Sequence, residues 1–215
     1  MTGPQPRVLV AGDEDQPLQS ASVPMSFVAR RLQGAAAVSG AFAALPSGAQ
    51  GGVFQSEGWL SALNAELAAA LGAETLAIEV RASPSGEFAL LLPLLATRER
   101  GFNIARVASL GVSDYGGPVL GSGAPQDKDG AEALWAAIVA ALGGFDLIEI
   151  ENMPRVIGGR VNPLAIVAGV ERARHSRNAL AVAGSVEDLL RSLGKKYRKE
   201  AERCGRLLAE RWNAW

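Results

Sequence analysis

The sequence predicts an α/β (α+β) fold: a mixed, mostly antiparallel sheet flanked by helices, followed by a long basic amphipathic helix. Three observations lead there. Between residues 75 and 110, three strand-like segments follow one another across short turns, the pattern of antiparallel neighbours. A helical segment at 130–142 then separates the third of them from a fourth at 145–150, the arrangement of a crossover to a parallel neighbour. From Ser185 onward, apolar residues recur at steps of three and four among many Lys and Arg.

The elements follow in order. Residues 1–22 are rich in Pro, Gln, Ser, Gly and Asp and read as a tail, with one short strand-like run at Arg7 to Ala11. Met25 to Leu32 has strand character, and the alanine-rich Gly34 to Leu45 suits a helix. Ser56 is a candidate N-cap for a helix running to Leu71, along which Trp59, Leu60, Leu63, Leu67 and Leu71 share a face before Gly72. Thr75 to Arg81 alternates as a strand, and Ser83-Pro84-Ser85-Gly86 reads as a hairpin turn. Phe88 to Leu95 is almost wholly apolar, as in a buried strand, with an irregularity expected at Pro93. A third strand is expected over 103–110, then a long loop to Asp129, the helix 130–142 stopped by Gly143-Gly144, and the strand Phe145 to Ile150. Residues 152–169 read as irregular and Ala173 to Ala183 as another strand. The final helix opens at Ser185, with Asp188 completing a capping-box pattern. Its stripe is Leu189, Leu193, Tyr197, Ala201, Cys204, Leu208 and Trp212.

Composition narrows the chemistry. The 215 residues suffice for one generous domain, or one domain and part of another. A net charge of −1 gives no global argument for nucleic acid, and no nucleic-acid partner is expected. The single cysteine, Cys204, excludes an intrachain disulfide and suits a reducing compartment. With one histidine, His175, a Cys/His zinc site lacks ligands, and no Gly-x-Ser-x-Gly elbow accompanies that histidine for a serine triad. No apolar run is long enough to span a membrane, and the N-terminus lacks a basic-then-apolar signal pattern, so the chain reads as cytoplasmic.

The stretch with most chemistry runs from Gly101 to Pro118. It begins half apolar and ends in Ser113-Asp114-Tyr115-Gly116-Gly117-Pro118, a carboxylate and a phenol side by side at a strand end before a forced turn. A turn-capping Asp and a gap-filling Tyr would look the same. In the terminal helix, seven Lys and Arg over 195–212 stand against three Glu, a net +4, which suits either a solvated face or contact with an anionic ligand, surface or partner.

Several short motifs occur in one order: Phe54-Gln55-Ser56 before Trp59, Leu92-Pro93-Leu94, Ser113-Asp114-Tyr115 with Pro118, Gly158-Gly159 before Asn162-Pro163-Leu164, and Leu193-Gly194-Lys195-Lys196-Tyr197-Arg198-Lys199 with Leu207-Leu208. Together with the element order, this set resembles the N-terminal half of double-GNAT acetyltransferases of the cellulose-biosynthesis (CelD-like) type, over roughly residues 25 to 211. That plan is similar to the Fem-type aminoacyltransferases. The resemblance implies a GNAT-like domain over 23–184 and a basic helix, 185–215, that leads toward a second GNAT domain holding acetyl-CoA. It implies transfer of an acyl group from acyl-CoA to an amine or amino sugar, in polysaccharide or envelope metabolism. Asp114 and Tyr115 are then the catalytic candidates; Trp59, Asn152, Arg160, Asn162, Lys196 and Arg198 are the expected acceptor-binding residues. The usual pyrophosphate-gripping pattern is missing from 111–129, where Asp114, Asp127 and Asp129 accompany a single cation, Lys128, so acetyl-CoA is not expected to be bound by this half alone. The alternative is a non-catalytic interaction module that docks through residues 195–215, on itself or on a partner domain.

Overall fold

The computed structural model describes residues 25–171 and 185–212, which fall in two units, one within 1–171 and one within 172–215. The N-terminal tail, the expected strand at 173–183 and His175 lie outside the described residues.

In the first unit, β1 (Ser26–Gln33) pairs antiparallel with β2 (Glu74–Ser83), β2 with β3 (Phe88–Glu99), and β3 with β4 (Phe102–Val107). A helix, α3 (Lys128–Ala141), then carries the chain to β6 (Leu147–Glu149), which lies parallel to β4. The expected antiparallel order and parallel crossover are both present. Between β1 and β2 stand α1 (Ala35–Ala43) and α2 (Glu57–Leu63); α2 continues through one wider π-turn, Asn64–Ala68. Ser56 caps α2 as its sequence position indicates, its hydroxyl accepting the Trp59 N–H at 3.3 Å.

β3 explains its own composition. Side chains alternate across a strand, so a strand covered on both faces needs apolar residues at every position. Leu90, Leu92 and Leu94 pack with Leu76, Ile78, Val80 and with Leu134 and Ile138 of α3. Leu91 and Leu95 pack on the opposite face with Val38 and Phe42 of α1 and Leu60 and Leu63 of α2. Each such leucine contributes about 1.5–3 kcal/mol by leaving water. One acidic group enters the second face: Glu79 on β2 is 8% exposed and receives Arg30 and Arg81, each at 2.7 Å.

The expected irregularity of β3 at Pro93 is corrected. β3 runs unbroken through Pro93, in register with Ala77 on β2, and its bulge lies opposite Val80/Arg81 instead. The break occurs in the neighbouring chain. β4 follows β3 as far as Val107 opposite Leu94, and Ala108 N–H still donates to the Pro93 carbonyl at 3.2 Å. The chain then leaves the sheet over residues 108–118 and returns to β3 as β5 (Val119–Leu120), opposite Leu91 and Leu90. In an antiparallel ladder a residue's N–H and C=O face the same neighbour. Pro93 therefore turns its missing donor toward the departing chain, and no ladder bond is lost. β4 is accordingly shorter than the sequence suggests, and the long loop after it contains β5. The outer edge of β5 is closed by Gln50, which exchanges two backbone hydrogen bonds with Leu120 at 2.7 and 2.8 Å. The stretch 152–169 holds a small hairpin, β7 (Val156–Ile157) with β8 (Arg160–Val161), and a 3₁₀ turn at Pro163–Ala165.

In the second unit the single expected helix is two. Ser185 and Asp188 form the capping box of α4 (Val186–Ser192), but Leu193 is extended, and a second helix, α5 (Lys195–Trp212), starts after Gly194. The Arg198 guanidinium reaches back to the carbonyls of Leu190, Arg191 and Leu193 at 3.0–3.3 Å, satisfying the open end of α4.

Candidate functional site

The excursion 108–118 carries Asp114 and Tyr115, and α2 supplies its seat. The 3₁₀ turn Val53–Gln55 and the cap at Ser56 fix the start of α2. That positions Trp59, whose indole Nε1–H donates to the buried Ser113 hydroxyl at 3.0 Å. Gln55 is buried and bonded at both ends of its amide: Oε1 accepts the Gly52 N–H at 3.2 Å, and Nε2 donates to the Tyr115 carbonyl at 2.9 Å. Phe54 stands edge-on to Trp59, ring centroids 5.0 Å apart, and 6.0 Å from the Tyr115 ring. Ser113 is thus held by Trp59 and Tyr115 by Gln55, and Asp114, between them in the chain, is exposed.

Behind the loop, Gly116 N–H donates to the Asn152 carbonyl at 3.2 Å. The approach is close enough that a Cβ at Gly116 would lie 2.5 Å from the Glu151 carbonyl oxygen. Asn152 itself adopts φ 54°, a left-handed conformation that Asn tolerates. Trp59 and the Asn152 backbone therefore both contact the loop that carries Asp114 and Tyr115.

Asn162 and Arg160 have other work. Asn162 is fully buried; its Oδ1 accepts the Leu164 N–H at 3.1 Å and its Nδ2 donates to the Pro154 carbonyl at 2.9 Å. Arg160 donates to the Ser122 and Ala124 carbonyls at 2.9 and 3.2 Å, tying the β7–β8 hairpin to the segment after β5. Both organise backbone around the loop. Arg198 closes the end of α4, and Lys196 is exposed on α5 within the second unit.

The N-terminus of α3, where a CoA pyrophosphate would be gripped, does not fit that group. Asp127 already fills it, accepting the Gly130 N–H at 2.8 Å, and Asp129 adds a second carboxylate in the first turn. Both repel a diphosphate.

Phe54, Gln55 and Ser113 join the site although sequence reasoning singled them out only as parts of motifs. A glutamine just before an N-cap serine was the available signal. A separate cleft of about 490 Å³ opens between α1 and α2, lined by Val38, Phe42, Leu60 and Asn64, with Ser39 donating to Glu57 at 2.6 Å beside it. Neither Asp114 nor Tyr115 lines it.

Among the described residues no group of three His, Cys, Asp or Glu is placed to hold a metal ion, and no helix is long and apolar enough to cross a membrane. Comparison with known protein families, curated proteins and solved structures finds no match to this chain.

Proposed function

We propose that this chain is the acceptor-side half of a GNAT-type acyltransferase. It seats an amine or amino sugar at Trp59, Asp114 and Tyr115, for acylation by an acyl-CoA held elsewhere. The observation that carries this reading is the excursion 108–118: it opens opposite Pro93, where the partner of β3 changes, and it is seated on Trp59 and Gln55. The meander with a parallel strand after a crossover helix, the order of strands in a GNAT sheet, supports the same reading.

The chemistry suits an acceptor. A primary amine offers N–H donors, and the Asp114 carboxylate is an acceptor-only group. The neighbouring rings of Phe54, Trp59 and Tyr115 offer flat apolar faces to the C–H side of a sugar or to an ammonium. The residues of this chain bind and orient the acceptor, and the proton given up by its nitrogen has Asp114 as the nearest proposed base. In this reading the acyl-CoA is held by another domain or chain, consistent with Asp127 and Asp129 at the N-terminus of α3.

Isothermal titration with glucosamine and, separately, with acetyl-CoA tests the reading. Glucosamine is expected to bind, with affinity at least about ten-fold lower for Asp114→Asn and Trp59→Ala, a loss of roughly 1.4 kcal/mol. Acetyl-CoA is expected to bind no more tightly than about micromolar. Sub-micromolar acetyl-CoA binding, or glucosamine binding indifferent to both substitutions, overturns it.

A further inference from the structure

We infer that α5 is a docking surface for an anionic lipid bilayer, on which the helix lies in the plane of the interface. Its apolar stripe is Tyr197, Ala201, Cys204 and Leu208, with Leu207 beside it, at the three- and four-residue spacing of one helix face. Nothing within the second unit covers the stripe: Tyr197 is 70% exposed, Leu208 64% and Leu207 42%. The helix carries seven Lys and Arg against three Glu. Glu200, three residues after Tyr197 and four before Cys204, borders the stripe, accepting from the Cys204 thiol at 3.7 Å and pairing with Arg203. A polar face of net positive charge opposite an apolar stripe is the pattern of an interfacial helix.

Charge and shape select the occupant. A second α5 would bring two helices of net +4 together, and like charges oppose that pairing. A preformed protein groove takes bulky anchors at successive turns. Here the middle of the stripe is Ala201 and Cys204, with Gly205 next to them, too small to fill a rigid groove. A fluid surface conforms around small side chains, while the long Lys and Arg stems reach to its headgroups. Nucleic acid would use the cations and leave the stripe in water.

Co-sedimentation of the full chain with phosphatidylcholine vesicles, with and without roughly 30 mol per cent phosphatidylglycerol, tests this. Binding is expected only to the anionic vesicles, with loss in high salt. The Lys195→Gln/Lys196→Gln double variant is expected to partition ~30-fold less, about five-fold per cation. Leu207→Glu/Leu208→Glu is expected to abolish binding while far-UV circular dichroism stays that of the parent chain. Equal binding to neutral vesicles, absence of binding, or binding untouched by the leucine variant overturns the proposal. So does a concentration-dependent dimer in light scattering without vesicle binding, which would give the stripe to a second copy. The vesicle assay contains no glucosamine and the acceptor titration no vesicles, so a failure of either reading is seen separately.

Discussion

Trp59 donates its indole N–H to the hydroxyl of Ser113, 54 residues away in the chain, at 3.0 Å. That bond joins the first turn of α2 to the loop carrying Asp114. Ser113 is buried, so removing its oxygen leaves a donor without its partner in a poorly solvated place. Ser113→Ala is expected to lower unfolding stability by about 1 kcal/mol in urea titration. It should also free the half-buried Trp59, raising the access of a fluorescence quencher. An unchanged quenching profile would show that the loop is seated without this bond.

The rear of the same loop makes a sharper test. At Gly116 an added Cβ meets the Glu151 carbonyl oxygen at 2.5 Å and the Val107 methyls at 3.0 Å. The carbonyl is backbone and cannot rotate aside, so the loop and the 151–154 segment must separate. Gly116→Ala is expected to cost about 1–3 kcal/mol, whereas Gly111→Ser, at the exposed loop entrance with nothing within 4 Å, meets only the strain of φ 75°. A thermal melt in which Gly116→Ala is no less stable than the parent chain would refute the close approach.

Glu79 gives the fold a pH dependence with a definite sign. Burial pushes its carboxyl upward, but hydrogen bonds and charge from Arg30 and Arg81 outweigh that and hold it below its ordinary value. The group therefore binds its proton more readily in the unfolded chain. Its contribution is present above the unfolded value, near pH 4.3, and is lost as pH falls through the lower folded one. Stability should fall on acidification through that window, and Glu79→Gln should flatten the fall while lowering stability at neutral pH. Urea midpoints across pH 2–7, compared between the two chains, measure it.

These positions show what sequence reading reaches and where it stops. The meander and its crossover were legible because period-two and period-3.6 patterns are local, and the unbroken apolar run of β3 announced burial on both faces. The caps at Ser56 and Ser185 were legible for the same reason. β5 was not: two residues carry no period, and Val119–Leu120 is a strand only because Leu90, Leu91 and Gln50 lie alongside it. The break at Leu193 was hidden because Leu189, Leu193 and Tyr197 keep helical spacing straight through it. In the candidate site, Asp114 and Tyr115 stood out as a carboxylate and a phenol side by side before a turn. Trp59 and Asn152 were drawn in by motif resemblance, and only tertiary contact shows how they meet the loop. Arg160 and Asn162 were drawn in by the same resemblance, and the contacts that the structure gives them are to backbone groups.

Asn162 allows those contacts to be measured. Its amide works in both directions, Oδ1 accepting from Leu164 N–H and Nδ2 donating to the Pro154 carbonyl, with no exposure to water. Asn162→Asp keeps the shape and the acceptor but turns the donor into a second oxygen facing a carbonyl. Ionised, the introduced carboxylate is buried beside an acceptor, and the expected cost is about 2–4 kcal/mol near pH 7. Protonated, it regains one O–H donor for Pro154, so the penalty should shrink as pH falls. That is the opposite direction to Glu79. The substitution raises the folded-state value of the new group, so its destabilisation is present at high pH and relieved by acid. Denaturant titration of Asn162→Asp at pH 7 and pH 5 reads this directly. A penalty equal at both pH values would show that the Asn162 amide does not hold Pro154.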